Sequence, residues 1–150
     1  MIDSRKLDDL HPAVMSRVIS FMVDYQQQTG IEILWASTYR DSEMQASLYA
    51  KGRTAPGNIV THAMPGHSAH NYRLAANGYP MVGGKPLFQA HNAKGVMLNE
   101  WVKYGKIAVN HGLEWAGNWQ SFVEYPHVQY TGQFSLAQII ENPNLVEQIK

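Results

Sequence analysis

The sequence has no cysteine and no excess of charge of either sign. Twelve lysine and arginine residues balance twelve aspartate and glutamate residues, so no net field favours nucleic acid or an anionic membrane as a partner. Without cysteine there are no disulfides and no thiolate chemistry. Any metal ion must therefore be held by histidine, carboxylate or amide groups.

Long apolar runs are also missing. No segment approaches the ~20 apolar residues of a membrane span, and the opening stretch MIDSRKLDDLHPAV lacks the apolar core of a signal peptide. We expect no membrane insertion and no nucleic-acid partner. Synthesis in the cytoplasm is expected as well, so work outside the cell would need a separate exit route.

The chain of 150 residues is long enough to bury a core of its own. Its hydrophobic content of 45% and its charged content of 16% are those of an ordinary globular protein. No repeat, low-complexity tract or linker interrupts it. These features predict a single domain over residues 1–150, and we expect a monomer.

The first half of the chain alternates helix, strand and helix. Apolar residues at helical spacing predict a helix from about His11 to Gln28 that ends at Gly30. The stretch IEILWASTYR is rich in β-formers and predicts a buried strand with a polar end. A second helix, SEMQASLYAKG, follows a cap at Asp41 or Ser42.

The second half contains the remaining strands. Residues 53–66 hold prolines and glycines that indicate a long loop. NYRLAANGYPMV predicts a strand that turns back at Gly83 and Gly84 towards KPLFQ. A helix over about residues 94–110, a final strand FVEYPHVQY and a short helix SLAQIIENP complete the chain. The pattern predicts an α+β fold, with a small antiparallel sheet flanked by helices.

Four polar residues of this second half match the needs of a hydrolytic zinc site. Such a site uses three protein ligands, an open position for water and a carboxylate that takes the proton of that water. His70, position 77 and His127 could be the ligands and Glu124 the base. On a regular strand Glu124 and His127 would lie on opposite faces, whereas a bulge at Pro126 would bring them to one side.

An arginine at the end of the first strand adds a possible electrophile. Arg40 could stabilise an oxyanion or hold a substrate carboxylate through two parallel hydrogen bonds. On spacing alone, each of these residues has an ordinary alternative. A loop histidine is commonly solvated, Glu124 could be a surface charge, and Arg40 could be half of a salt bridge.

Three ordered blocks raise the specificity of this pattern. YRDSEMQASLYAKGRTAPG, PGHSAHNY and GLEWAGNWQSFVEYPHVQ together resemble the zinc peptidases that include D-alanyl-D-alanine carboxypeptidases and the L-alanyl-D-glutamate endopeptidases of phage endolysins, the VanY-like family. The resemblance runs from about Ile31 to Gln129. It implies a Hedgehog/D-Ala-D-Ala peptidase-like fold, which is the α+β class expected above.

The resemblance also implies roles for individual residues. His70 and His127 would bind one zinc ion, with position 77 as the third ligand. Glu124 would be the general base that activates the zinc-bound water and then protonates the leaving amine. Arg40 would stabilise the negative charge that develops on the scissile carbonyl oxygen. The positions that line or support the substrate cleft would be Ser68, Gln45, Tyr39 and Trp119.

The sequence departs from the family pattern at the third ligand. The family has an aspartate seven residues after the first histidine, and this chain has Asn77. A motif glycine has become Arg73, whose guanidinium would oppose a cation if it pointed into the site. Three explanations stay open: Asn77 is a weak ligand, His67 or His62 replaces it, or catalysis has been lost and substrate binding kept.

The function implied by the resemblance is that of a peptidoglycan-degrading zinc endolysin. Its partner would be the peptidoglycan stem peptide, cut at the L-alanyl-D-glutamate bond. It would act at the bacterial wall after release from the host cytoplasm. A D,D-carboxypeptidase or dipeptidase acting on D-alanyl-D-alanine is one alternative, and a non-catalytic peptidoglycan-binding protein with a degenerate zinc site is another.

Overall fold

A computed structural model describes residues 1–150 of the protein. It has the predicted α+β architecture, in which helices surround a small antiparallel sheet. The α-helices are α1 (Pro12–Thr29), α2 (Ser42–Ala50), α3 (Asn99–Asn110) and α4 (Leu136–Glu141). The strands are β1 (Ile33–Ser37), β2 (Ala75–Val82), β3 (Lys85–Pro86), β4 (Glu114–Trp115) and β5 (His127–Gln129). Short 3-10 helices lie at Leu7–Asp9, Ala69–Tyr72, Ala116–Asn118 and Pro143–Gln148.

Strand β2 is at the centre of the sheet. The strand order is β1-β2-β5-β4, and β3 pairs with the far end of β2. Every pairing is antiparallel. In the register of the sheet, Asn77 lies opposite Ser37 of β1 and opposite His127 of β5. The sheet therefore brings together three polar residues that are far apart in the sequence.

The first helix follows its sequence signals closely. The ring of His11 caps α1 by accepting a hydrogen bond from the backbone of Ala13 at 3.1 Å. The helix ends at Gly30, whose φ of 73° is the left-handed conformation that favours glycine. Its buried face consists of Val14, Val18, Phe21 and Tyr25. These side chains belong to the one hydrophobic cluster that joins α1, α3 and the sheet.

Close packing explains two glycines that are not in turns. In β2, a Cβ atom on Gly78 would lie 2.6 Å from the Ile33 side chain and 2.7 Å from the Trp35 ring. In α3, a Cβ atom on Gly105 would overlap the Trp115 ring. Trp115 is itself almost fully buried, so its ring has little room to move away.

Replacing Gly105 by alanine is therefore expected to destabilise the protein, although alanine favours helices by about 1 kcal/mol over glycine. The methyl group would displace a buried ring, and overpacking of this kind costs roughly 1–3 kcal/mol. Chemical denaturation would measure the free energy of unfolding. Lys103→Ala, an exposed change in the same helix, is the matched control. A Gly105→Ala protein as stable as the wild type would show that α3 and Trp115 separate easily.

Two predicted elements are shorter than the sequence indicated. The long helix of the second half begins at Asn99 rather than near residue 94. The final strand contains only His127–Gln129, and the segment before it consists of bends and irregular backbone. Pro126 has no N–H for a ladder bond, and Phe122 has a φ of 47°, outside the extended range. No helix of the protein combines the length and the apolar composition that a membrane crossing needs.

Candidate active site

The side chain of Asn77 lies between two buried histidines. Its Oδ1 atom is 3.2 Å from Nε2 of His70 and 3.1 Å from Nδ1 of His127. The two imidazole rings are nearly perpendicular, with their centres 5.1 Å apart. The three positions that the sequence proposed as metal ligands thus meet at one point.

Local structure fixes the first of these histidines. His70 lies in the short 3-10 helix Ala69–Tyr72, which begins at a capping box. The Ser68 hydroxyl accepts a hydrogen bond from the backbone of His70 at 3.3 Å, and the Asn71 side chain accepts one from the backbone of Ser68 at 3.3 Å. The backbone of this turn therefore holds the imidazole above the sheet, against Asn77.

Each histidine has one ring nitrogen occupied by a partner outside the cluster. Nδ1 of His70 lies 2.7 Å from the carbonyl oxygen of Thr38, and Nε2 of His127 lies 2.8 Å from Oε1 of Gln129. An oxygen acceptor at each position requires the ring nitrogen there to carry the proton. In a neutral imidazole the other nitrogen then has a free lone pair, and in both rings this nitrogen faces Asn77.

Burial keeps both rings neutral. Desolvation lowers the pKa of His70 well below its ordinary value, and the nearby charge of Arg40 lowers it further. Desolvation likewise lowers the pKa of His127 to about 4, against the hydrogen bond to Gln129, which raises it. At neutral pH the site therefore presents two uncharged nitrogen donors.

This donor set fits a zinc ion, with a weaker third ligand than the usual carboxylate. Three lone pairs converge with no proton between them, an arrangement that a shared cation stabilises. No group of three His, Cys, Asp or Glu side chains has the geometry of a metal site, and the group that lies between the two imidazoles is the amide of Asn77. Zinc prefers imidazole and charged ligands to an amide oxygen. The same amide can rotate and donate N–H bonds to both rings when no cation is present.

A single carboxylate lies beside the cluster. Oε2 of Glu124 is 3.6 Å from Nδ1 of His127. Burial raises the pKa of Glu124 to about 7, although the positive charge of Arg40 lowers it in part. A carboxyl group with a pKa near neutrality can both accept and return a proton, which is what a general base and acid must do.

Irregular backbone, not a strand bulge, brings Glu124 to this position. Its backbone N–H donates to the carbonyl of Ala116 at 3.3 Å. Two buried side chains fix the residues that follow. The Trp115 indole donates to the carbonyl of Tyr125 at 2.7 Å, and the Tyr104 hydroxyl donates to the carbonyl of Pro126 at 2.8 Å. The expectation of a bulge in a continuous strand was wrong, because β5 begins only at His127.

The guanidinium of Arg40 lies in the same cleft. Its Nε donates to the hydroxyl of Ser37 at 3.1 Å, and one Nη donates to Oε1 of Gln45 at 3.1 Å. Desolvation lowers the pKa of Arg40, while the charges of Asp3 and Glu124 raise it. The side chain keeps its charge at any ordinary pH. Its other Nη makes no hydrogen bond within the protein.

These groups share an open cleft of about 890 Å³. The walls include Ser68 and Trp119, as the resemblance implied, and the Trp119 ring lies 5.3 Å from that of His127. Of the two substitute ligands considered, His62 packs against the Phe122 ring at 4.2 Å. His67 lines the cleft and is exposed. Neither makes a hydrogen bond to the cluster.

Two of the predicted substrate residues lie outside the cleft wall. Gln45 is fully buried behind Arg40, and its amide donates to the carbonyl of Ala63 at 2.8 Å. Tyr39 faces away, where its ring stacks under the guanidinium of Arg73 at 3.9 Å. Gln45 can therefore influence a substrate only through Arg40, and Tyr39 has no contact with the cleft.

Arg73 does not oppose a cation. Besides stacking on Tyr39, it donates to the carbonyl of Asp9 at 2.8 Å on the outer surface. Its backbone φ is 65°, the left-handed conformation that costs a non-glycine residue roughly 1–2 kcal/mol. That conformation explains why the family motif has a glycine there.

Several residues that shape the site were missed by the sequence reasoning. Gln129 was detectable, because it lies two residues after His127 and so on the same face of β5. For the Thr38 carbonyl and the Ser37 hydroxyl, the sequence indicated only that they lie at the end of β1, and nothing pointed to their contacts with the site. Asp3, whose carboxylate accepts a bond from Ser37 at 2.6 Å, is 34 residues away in sequence and had none.

Comparison with known proteins identifies the family. A family model described as D-alanyl-D-alanine carboxypeptidase matches residues 61–130. The peptidoglycan L-alanyl-D-glutamate endopeptidase CwlK of Bacillus subtilis is 34% identical over 125 residues, which cover 81% of this chain and 73% of that protein. The chain therefore belongs to the peptidase family that the model describes.

Further relatives agree with this assignment. The L-alanyl-D-glutamate peptidase of a Listeria phage is 26% identical over 110 residues, which cover 73% of this chain but 34% of that protein. The fold matches the Serratia marcescens L-Ala D-Glu endopeptidase ChiX with a TM-score of 0.58 over 87% of this chain and 89% of that one, at 16% identity. It also matches the LdcB LD-carboxypeptidase with a TM-score of 0.61 over 94% and 70% of the two chains, at 17% identity.

Proposed function

We propose that the protein is a zinc-dependent peptidase that hydrolyses the L-alanyl-D-glutamate bond of peptidoglycan stem peptides. The observation that carries this proposal is the convergence of two imidazole lone pairs and an amide oxygen beside a carboxylate of raised pKa. The names of the Bacillus and phage relatives support the choice of bond.

His70, Asn77 and His127 would hold one zinc ion. Bound zinc supplies a Lewis acid that polarises a carbonyl group and lowers the pKa of a bound water. The two histidines need no proton loss on binding, because burial already keeps them neutral. Thr38 and Gln129 orient the two rings from behind, as outer partners of metal ligands commonly do.

Glu124 would take the proton from the attacking water and return it to the leaving amine. Its pKa of about 7 suits both transfers. Arg40 would stabilise the negative charge that develops on the scissile carbonyl oxygen, through the N–H groups that have no partner in the protein. Ser68 and Trp119 would form the wall against which the stem peptide lies. The protein would act on peptidoglycan at the cell wall, after release from the cytoplasm.

Metal content and bond specificity together test this proposal. Purified protein is expected to bind about one equivalent of zinc and to hydrolyse a soluble stem peptide between L-alanine and D-glutamate. A chelator should stop the reaction, and added zinc should restore it. Mass spectrometry of the products identifies the bond. Release of terminal D-alanine instead would favour the carboxypeptidase alternative, and wall binding without zinc or hydrolysis would indicate a degenerate site.

A further inference from the structure

The segment that contains Asp3 lies beside the active-site end of β1. Residues 2–4 run antiparallel to residues 38–41, with Asp3 opposite Arg40. The backbone of Ser4 donates to the carbonyl of Tyr39 at 2.8 Å and accepts from the N–H of Thr38 at 2.7 Å. The N–H of Asp41 donates to the carbonyl of Ile2 at 3.1 Å. This segment thus acts as an extra strand along the stretch that carries Arg40.

The carboxylate of Asp3 is the end of a short hydrogen-bond chain. Nε of Arg40 donates to the Ser37 hydroxyl at 3.1 Å, and that hydroxyl donates to Oδ1 of Asp3 at 2.6 Å. The same oxygen lies 3.6 Å from Nε of Arg40. One carboxylate therefore fixes the direction of the hydroxyl proton and neutralises the buried guanidinium.

We propose that Asp3 is a positioning residue that aims the free edge of Arg40 at the scissile carbonyl group. Ser37 and Gln45 accept hydrogen bonds from Nε and one Nη of Arg40, and the other Nη has no partner in the protein. Without Asp3 the Ser37 hydroxyl loses the acceptor that fixes its rotation, so its lone pair is no longer held towards Nε of Arg40. The guanidinium can then tilt, and a misplacement of about 1 Å costs a large factor in rate.

This inference rests on the proposed function, since it assigns Arg40 to the reaction. It predicts that Asp3→Ala lowers kcat for a stem peptide by about tenfold while KM changes little. Asp3→Asn keeps an acceptor for the Ser37 hydroxyl, so its kcat should fall less than that of Asp3→Ala. Asp8→Ala is the matched control and should leave kcat unchanged. Asp8 is an exposed acidic residue of the 3-10 helix that follows this segment, and it makes no side-chain hydrogen bond.

A double-mutant cycle separates positioning from general support of the fold. Lysine at position 40 keeps the charge but cannot make the Nε bond. In the Arg40→Lys background, Asp3→Ala should therefore change kcat by less than about twofold. An equal loss in both backgrounds, or no loss in the wild-type background, would overturn the proposal.

An NMR measurement tests the same contact when no hydrolysis can be followed. The Nε–H resonance of Arg40 can be assigned by its absence from Arg40→Lys. Its exchange with solvent should be slow in the wild type and in Asp8→Ala, and faster in Asp3→Ala. Unchanged exchange in Asp3→Ala contradicts the positioning role. Absent hydrolysis by a zinc-loaded wild type, with the exchange difference present, contradicts only the proposed function.

Discussion

Replacing Asn77 by aspartate is expected to tighten zinc binding by about a hundredfold, which corresponds to roughly 2.7 kcal/mol. The carboxylate adds a negative charge at the point where the lone pairs of His70 and His127 converge, and zinc prefers that ligand to an amide. Isothermal titration with competing chelators measures the affinity. Peptidase activity at limiting zinc should rise with it.

The same substitution should destabilise the metal-free protein. After rotation, the amide of Asn77 can place its NH₂ group where Oδ1 faces the two imidazoles and donate to both. A carboxylate presents only lone pairs to these two nitrogens, which are also acceptors. Such a mismatch in a buried site costs about 1–3 kcal/mol. In thermal unfolding at mildly alkaline pH, Asn77→Asp should therefore have a lower Tm than the wild type when a chelator is present. With zinc present it should have a higher Tm than the wild type.

The opposite signs of these two effects make the test specific. Asn118→Asp adds the same charge at an exposed site that makes no side-chain hydrogen bond, and it should alter neither zinc affinity nor metal-free stability. If Asn77→Asp leaves zinc affinity unchanged, position 77 is not a ligand. His62 or His67 would then have to be examined as the third donor.

Replacing Glu124 by glutamine is expected to lower kcat by a factor of about 10² to 10⁴, with zinc retained. Glutamine has nearly the shape of the glutamate side chain but cannot accept the proton of the attacking water. The variant should also be at least as stable as the wild type near neutral pH, because burial already disfavours the charged form of this carboxyl group. Kinetics, bound zinc and Tm would be measured on one preparation.

Glu141→Gln is the control for this experiment, since Glu141 is exposed at the end of α4 without a side-chain hydrogen bond. It should leave kcat, zinc content and Tm unchanged. Near-normal hydrolysis by Glu124→Gln would remove Glu124 from the role of base. A loss of activity together with loss of zinc or a lower Tm would instead assign Glu124 a structural part at the site.

Local signals predicted the helices and failed at the last strand. The prediction of α1 rested on apolar residues at helical spacing and on Gly30, signals that act within a few residues. The stretch before β5 looked like a strand because its composition favours one. Pro126 was a visible sign of an irregularity in that stretch, whereas the positive φ of Phe122 had no signal in the sequence.

The sequence grouped five residues into one candidate site, whose roles stay predictions, but it did not give the geometry of the site. His70, Asn77, Glu124, His127 and Arg40 were chosen from motif resemblance, and the structure brings all five to one cleft. Their convergence depends on the register that pairs Asn77 with His127 and on long-range contacts such as that of Asp3. These contacts join segments that are far apart in the sequence, and no fixed spacing connects the partners. Sequence spacing alone therefore cannot predict which residues meet.

The glycine that follows Asn77 makes this asparagine prone to deamidation during storage. In an Asn-Gly pair the unhindered backbone nitrogen of glycine readily attacks the side-chain amide carbon and expels ammonia, which closes a cyclic imide. Water then opens either carbonyl of this ring to give aspartate or isoaspartate. In the folded protein the Gly78 N–H is bonded to the carbonyl of Pro126 at 3.1 Å, and the sheet holds the nitrogen in place. An unfolded chain lacks this protection. Long storage in denaturant therefore favours deamidation at the position where the native amide faces the two histidines.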